Sequence, residues 1–294
     1  MSFIPLWFLF GLGTAALSAA MMLLQEKLQV NGYALAFWNK AAALIVAFPF
    51  MLVHGIPDSP VFFGLLAATA VLYAVSDVYF FSAIPKTSAG AVSRLVPSAS
   101  VIGFLLWFAV DPALFEKYAA HPVISTLIFT TLCLFAFFAM RLKKCQITMQ
   151  TFRDVWFVIF AATIGPILTK SLTLHADMTQ ARYAYVFFQA LMMMMLWLAY
   201  LHVRRPVPVA TFFARDTWQK GLIVGAAGAG AIMLKFTSFY YVDNPAYLPA
   251  VIALDSVMIL GYYKLRGIKA EGDILSGLGI VACAMALVVL KSQI

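Results

Sequence analysis

Six charged side chains stand inside stretches that are otherwise apolar: Lys40, Asp77, Arg94, Lys170, Lys235 and Asp255. Near a helix centre in hydrocarbon such a charge costs ~2.5–3.5 kcal/mol on insertion scales, so each needs a partner, an escape route or a role. Lysines and arginines near a span end can snorkel to the headgroups, and that reading stays open for Lys170 and Lys235. Arg94 has another option, because Asp77 lies at a comparable depth and offers a buried partner, structural or functional. Lys40 lies about seven residues inside its apolar stretch, or ~10 Å at 1.5 Å per residue. Asp255 falls near the middle of its own stretch, and its one-carbon stem cannot reach an interface. It is expected to face a cavity.

The signs of these six carry information. Four cations against two anions leave a positive surplus. Unless burial deprotonates the lysines, that surplus favours a negatively charged guest: a carboxylate, a phosphate ester or an anionic lipid headgroup. An acid deep in the first stretch would suit a cation; Glu26 stands only at its end, and the middle is Gly, Ala, Ser and Met. Polar-tipped aromatics surround the charges at Tyr73, Tyr79, Tyr183, Tyr185, Tyr240, Tyr241 and Tyr247. Of these, Tyr183, Tyr240 and Tyr241 fit an interfacial belt. Tyr247 precedes Asp255 by two helical turns and so shares its face. Trp38 and Asn39 adjoin Lys40, and Gln189 is either a donor to a guest or an interhelical tie. The candidate binding residues are therefore Lys40, Trp38, Asn39, Arg94, Gln189, Tyr247 and Asp255, with Asp77 and Asp255 as candidates for proton coupling.

The elements that must hold these residues follow from composition. The 294 residues are 64% hydrophobic and 11% charged, with a mean hydropathy of +0.93. Ordinary globular chains are ~45–50% apolar and ~25% charged. No soluble fold hides so much apolar surface, which excludes a soluble enzyme, a nucleic-acid partner and a disordered scaffold. A helix needs ~20 apolar residues to cross ~30 Å of hydrocarbon. On that measure spans fall near 3–24, 33–53, 61–83, 89–110, 122–140, 154–174, 182–201, 218–240, 244–263 and 273–291. The expectation is an all-α integral membrane protein of ten transmembrane helices. The first run resembles a signal peptide at Ala16-Leu17-Ser18-Ala19. It lacks a preceding Lys or Arg and is longer than a usual apolar signal core, so it is read as a retained span.

Loop charge is lopsided. Arg141, Lys143, Lys144 and Arg153 lie in the central loop, Arg204, Arg205, Arg215 and Lys220 between spans seven and eight, and Lys264, Arg266 and Lys269 between nine and ten. Lys27 and Lys86 lie on the same side, against Lys117, Arg182 and Lys291 opposite. The positive-inside rule makes the basic side cytoplasmic and puts both termini outside. A prokaryotic inner membrane is expected from the compact chain.

Ten spans divide into five and five, as residues 1–141 and 154–294 joined by the basic linker 142–153. Tandem copies of an odd number of spans lie inverted relative to one another. Ser88-Ala89-Gly90 through Ile102 lies on Asn244-Pro245-Ala246 through Met258 without a gap, and Phe37-Trp38-Asn39 lies on Phe187-Phe188-Gln189. The Gly221-x-x-x-Gly225 stretch reads as close helix packing and not as a phosphate loop, having no preceding strand and no Lys-Ser/Thr after it. Pro97, Pro166 and Pro249 can kink their helices. Met192 to Met195 read as a soft packing or lipid-facing surface. Cys133, Cys145 and Cys283 show no metal-ligand spacing, and no cofactor is indicated.

With ten short-looped helices in two halves and a fourth span reading Gly90-Ala91-Val92-Ser93-Arg94-Leu95-Val96-Pro97, the chain resembles the drug/metabolite transporter superfamily, EamA-type. The resemblance covers essentially the whole chain. It implies secondary transport by alternating access, with a solute held in a central cavity between two inverted five-helix repeats. Members usually keep both termini in the cytoplasm, opposite to the orientation that these loop charges indicate. The expected function is a carrier for a small anionic or zwitterionic solute. The alternative is a flippase or translocase for an anionic lipid or lipid-linked headgroup. Membrane lipid is the other expected partner, with the chain a monomer or homodimer. His54, His121, His175 and His202 fall at span ends and no paired carboxylates share mid-membrane spacing, so no enzyme is expected.

Overall fold

The computed structural model describes residues 5–29, 31–87, 97–142, 149–204, 208–267 and 272–294. In lipid the backbone must satisfy its own polar groups, and the described chain does so as helices. They are α1 (Leu6–Leu28), α2 (Gly32–His54), α3 (Pro60–Thr87), α4 (Ser98–Val110), α5 (Pro112–Ala119), α6 (Pro122–Arg141), α7 (Met149–Leu172), α8 (Met178–Arg204), α9 (Val209–Phe212), α10 (Arg215–Tyr241), α11 (Tyr247–Ile252), α12 (Leu254–Leu265) and α13 (Ile274–Lys291). Among the described residues nine helical stretches are long and apolar enough to span a membrane, α11 and α12 together making one of them. They become ten if α4 and α5, bent by 109° at Asp111, form one span. The chain is an integral membrane protein of helical class.

Local chemistry sets several ends. Asn31 caps α2 by accepting from the amides of Tyr33 and Ala34. Asp111 caps α5 at Leu114, with Pro112 in the first turn where its missing N–H costs nothing. Asp273 caps α13 at Leu275. The ninth expected span is broken, since α11 and α12 meet at Ala253. The fourth was expected at 89–110, and its part before residue 97 lies outside the described residues.

Packing follows a regular scheme. Helix α1 runs along α10, α10 along α2, and α2 along α8, while α3 lies on α7 and α8. Helix α4 packs on α7 and α6, α13 on α6, and α1 on α11 and α12. With α11 and α12 counted as one segment and the short α5 and α9 set aside, the described helices form ten segments. Advancing both members by five places then turns α1–α10 into α7–α3, and α10–α2 into α3–α8. It likewise turns α4–α7 into the contact of α11 and α12 with α1, while α2–α8 and α6–α13 map onto themselves.

The seam between α2 and α10 is close because glycines form it. A Cβ at Gly225 would stand 2.8 Å from the Asn39 Cα, and one at Gly221 would stand 2.6 Å from the Trp38 Cβ. The glycine spacing expected to mark close packing does so here. Ile45, Leu52, Val53 and Leu275 point outward, as side chains that face lipid do.

Candidate functional site

A cavity of ≈ 180 Å³ lies between α2, α3, α7, α8 and α10. Each helix presents one face to it, and the spacing on that face is helical. Tyr73 and Asp77 stand one turn apart on α3; Tyr185, Gln189 and Met193 follow at four-residue steps on α8; Ile232, Lys235 and Phe236 share a face of α10. Lys40 comes from α2 and Thr169 from α7. Gly165 is what lets Tyr73 in, since any Cβ there would collide with the edge of that ring.

One wall is a hydrogen-bonded series. The Gln189 carboxamide donates to the Tyr185 hydroxyl at 2.7 Å, and Thr169 Oγ1 stands 3.4 Å from the same oxygen. Thr169 donates its own proton to the Gly165 carbonyl at 2.8 Å. Tyr185 stacks on Phe236 with ring centroids 4.4 Å apart. The other wall carries charge. Lys40 Nζ lies 3.9 Å from an Asp77 carboxylate oxygen, and the Asp77 side chain remains 30% exposed. The Lys235 ammonium stands 5.9 Å from the centroid of the Tyr73 ring. Among the described residues two ammonium groups and one carboxylate thus share a small cavity, where charges interact far more strongly than in water.

Of the candidate binding and proton-coupling residues, Lys40, Asp77 and Gln189 line this cavity, as do Lys235, Tyr73 and Tyr185, which the sequence marked as charged or polar without assigning them to binding. Arg94 lies outside the described residues, and with it the expected Asp77–Arg94 pair; the cation found beside Asp77 is Lys40. Trp38 sits at the junction of α2, α9 and α10, where its indole donates to the Phe212 carbonyl at 3.1 Å. Asn39 is pressed against Gly225 and Gly228 in the α2–α10 seam. Tyr247 is wholly buried between Trp7 and Phe104, its hydroxyl paired with that of Tyr118. Asp255 is buried in the first turn of α12 and accepts from the Ser256 hydroxyl at 3.1 Å. These four stand apart from the cavity lining.

Lys170 and Lys235 do not snorkel. Lys170 is buried and donates to the Phe239 carbonyl at 2.8 Å, filling an acceptor in the last turn of α10. Lys235 turns into the cavity. Thr169, Ile232 and Phe236 went unnamed in the sequence, and Met193, read there within the Met192 to Met195 run as a soft packing or lipid-facing surface, is buried against the cavity. A step of four from Gln189 reaches Met193 and a step of three back from Lys235 reaches Ile232, while Phe236 adjoins Lys235 and Thr169 adjoins Lys170.

Two polar contacts close opposite ends of the bundle. Lys291, at the end of α13, pairs with Asp243 at 2.9 Å. On the basic side the Tyr263 hydroxyl of α12 donates to the Glu26 carboxylate of α1.

Fold and cavity together define a polytopic helical membrane protein with charged groups held between its helices. No family model matches the sequence. No curated protein matches it. Solved structures do, with 21 matching chains. One crystal structure superposes with a TM-score of 0.68 over 98% of each chain at 11% identity. At that identity the likeness establishes a shared fold alone.

Proposed function

We propose that the chain is a secondary transporter of the EamA-type drug/metabolite kind, carrying a small anionic or zwitterionic solute by alternating access. The observation that carries this reading is the cavity, whose charged and polar groups come from both halves of the chain. Lys40, Tyr73 and Asp77 belong to the first five spans; Thr169, Tyr185, Gln189 and Lys235 belong to the second. The recurrence of packing partners on advancing by five segments supports two inverted repeats. Loop charges favour termini outside the cytoplasm, and a prokaryotic inner membrane is the location proposed.

Among the acids singled out in the sequence, Asp77 is the one that faces the cavity, and proton coupling is assigned to it. Purified protein in liposomes, loaded with one solute and challenged with labelled solute outside, tests the reading. Counterflow of a carboxylate-bearing solute that is lost in Lys40→Ala is expected. Asp77→Asn is expected to retain exchange and to lose any acceleration by an imposed pH gradient. Competition by dispersed anionic lipid and by no solute would overturn the solute reading.

A further inference from the structure

Among the described residues, those lining the cavity offer more donors than acceptors, and they are unevenly committed. Lys40 faces Asp77, but at 3.9 Å the two are held more loosely than Lys291 and Asp243 at 2.9 Å. Lys235 pairs with no carboxylate among the described residues, and its described neighbour is the ring of Tyr73. The Tyr185 hydroxyl receives a proton from Gln189. Thr169 has sent its own proton to the Gly165 carbonyl, so at 3.4 Å it is a distant acceptor for that of Tyr185. Good O–H···O bonds run ~2.5–3.0 Å, so the Tyr185 proton has room for a closer acceptor. Size narrows the guest further. A cavity of ≈ 180 Å³ is a little larger than the ~150 Å³ apolar cavity that accepts benzene. Three aromatic rings, those of Tyr73, Tyr185 and Phe236, line it.

We propose that this cavity takes a monocarboxylate about the size of benzoate, its carboxylate against the Lys235 ammonium and the Tyr185 hydroxyl and its body among the three rings. The physiological meaning rests on the transport reading; the binding chemistry does not. One negative charge brings the sum of Lys40, Lys235 and Asp77 to zero. A dianion overshoots, and a zwitterion leaves the surplus in place. Leaving an ammonium buried without an anion is costly, so affinity should follow net charge at constant size.

The experiment is binding to detergent-purified full-length chain, by calorimetry, of five probes built on one benzene ring: benzoate, benzamide and benzylamine, which match in size, and phthalate and 4-(aminomethyl)benzoate, each larger by one substituent. Benzoate is expected to bind at least about tenfold tighter than the others, the factor that one charge-assisted hydrogen bond supplies. Lys235→Met should remove its advantage over benzamide. Asp77→Asn raises the cationic surplus by one and should move the preference to phthalate. A wild-type order indifferent to charge overturns the proposal, as does binding by none of the five or an unchanged order in folded Asp77→Asn. Flux of labelled benzoate into liposomes is read separately. Benzoate bound but not carried overturns transport and leaves the site standing; flux of other solutes without benzoate binding does the reverse.

Discussion

Burying an ammonium costs several kcal/mol unless something nearby offsets it, and this chain meets that cost in three ways. Lys40 has a carboxylate, Lys170 a helix-end carbonyl and Lys235 the face of a tyrosine ring. The three should respond differently to removal. Lys170→Met leaves the Phe239 carbonyl unpaired, an effect of ~1–3 kcal/mol. Thermal unfolding of the variant should show that loss while ligand affinity at the cavity stays as in wild type. The sequence located the charges within helices but not the way they face: Asp255, expected to face a cavity, is absent from its lining, and Lys235, for which snorkelling was open, turns into it. Hydropathy measures position along the membrane normal, whereas lining a cavity depends on the angle around the helix axis. Apolar residues surround these helices on all sides, so no polar stripe marks that angle. Lys40, Asp77 and Gln189 could be named, whereas Asp255 and Tyr247 have comparable depth and point elsewhere.

At the scale of elements, α10 shows how little side chain a close helix pair requires. Gly225→Val would drive a branched side chain into Asn39 and Ala42 of α2. Overpacking of this kind costs ~1–3 kcal/mol, measurable as a lowered Tm or lost folded yield. Gly225→Ser, smaller, should sit between the two. The last helix offers a pH test. The Ser276 hydroxyl, donating at 2.6 Å, holds the Asp273 carboxyl below the usual carboxylate range. Because the shift is downward in the folded chain, its stabilisation is full above the ordinary carboxylate pKa and is lost as pH falls through the folded value. Asp273→Asn keeps a capping oxygen without a charge, so the acid limb of its Tm profile should flatten. The spans themselves were legible to within a few residues wherever a long apolar run met a polar loop. The break at Ala253 was not, because apolar residues flank it on both sides. The turn at Asp111 did carry a signal, an N-cap followed by proline, which a reading by span length passes over.

The two halves of the molecule meet on the basic side through Glu26 and Tyr263. On the transport reading this contact must open in each cycle. A flexible bismaleimide joining Glu26→Cys to Tyr263→Cys, in a background lacking Cys133, Cys145 and Cys283, should stop flux while benzoate binding persists. Flux that survives complete cross-linking would show that the Glu26–Tyr263 contact need not part during the cycle. The α2–α10 seam bears on the same motion from inside the bundle. It joins one helix from each half, and its glycines bring backbone against backbone with few side chains to interlock. Interdigitated ridges fix a crossing angle; a smooth contact between backbones resists separation much more than it resists rotation. The seam therefore has the properties of a pivot. Residues that thicken it are expected to slow turnover as well as to lower Tm, and helices that pack away from it, α6 and α13 among them, would travel farther for a given angle than those that form it.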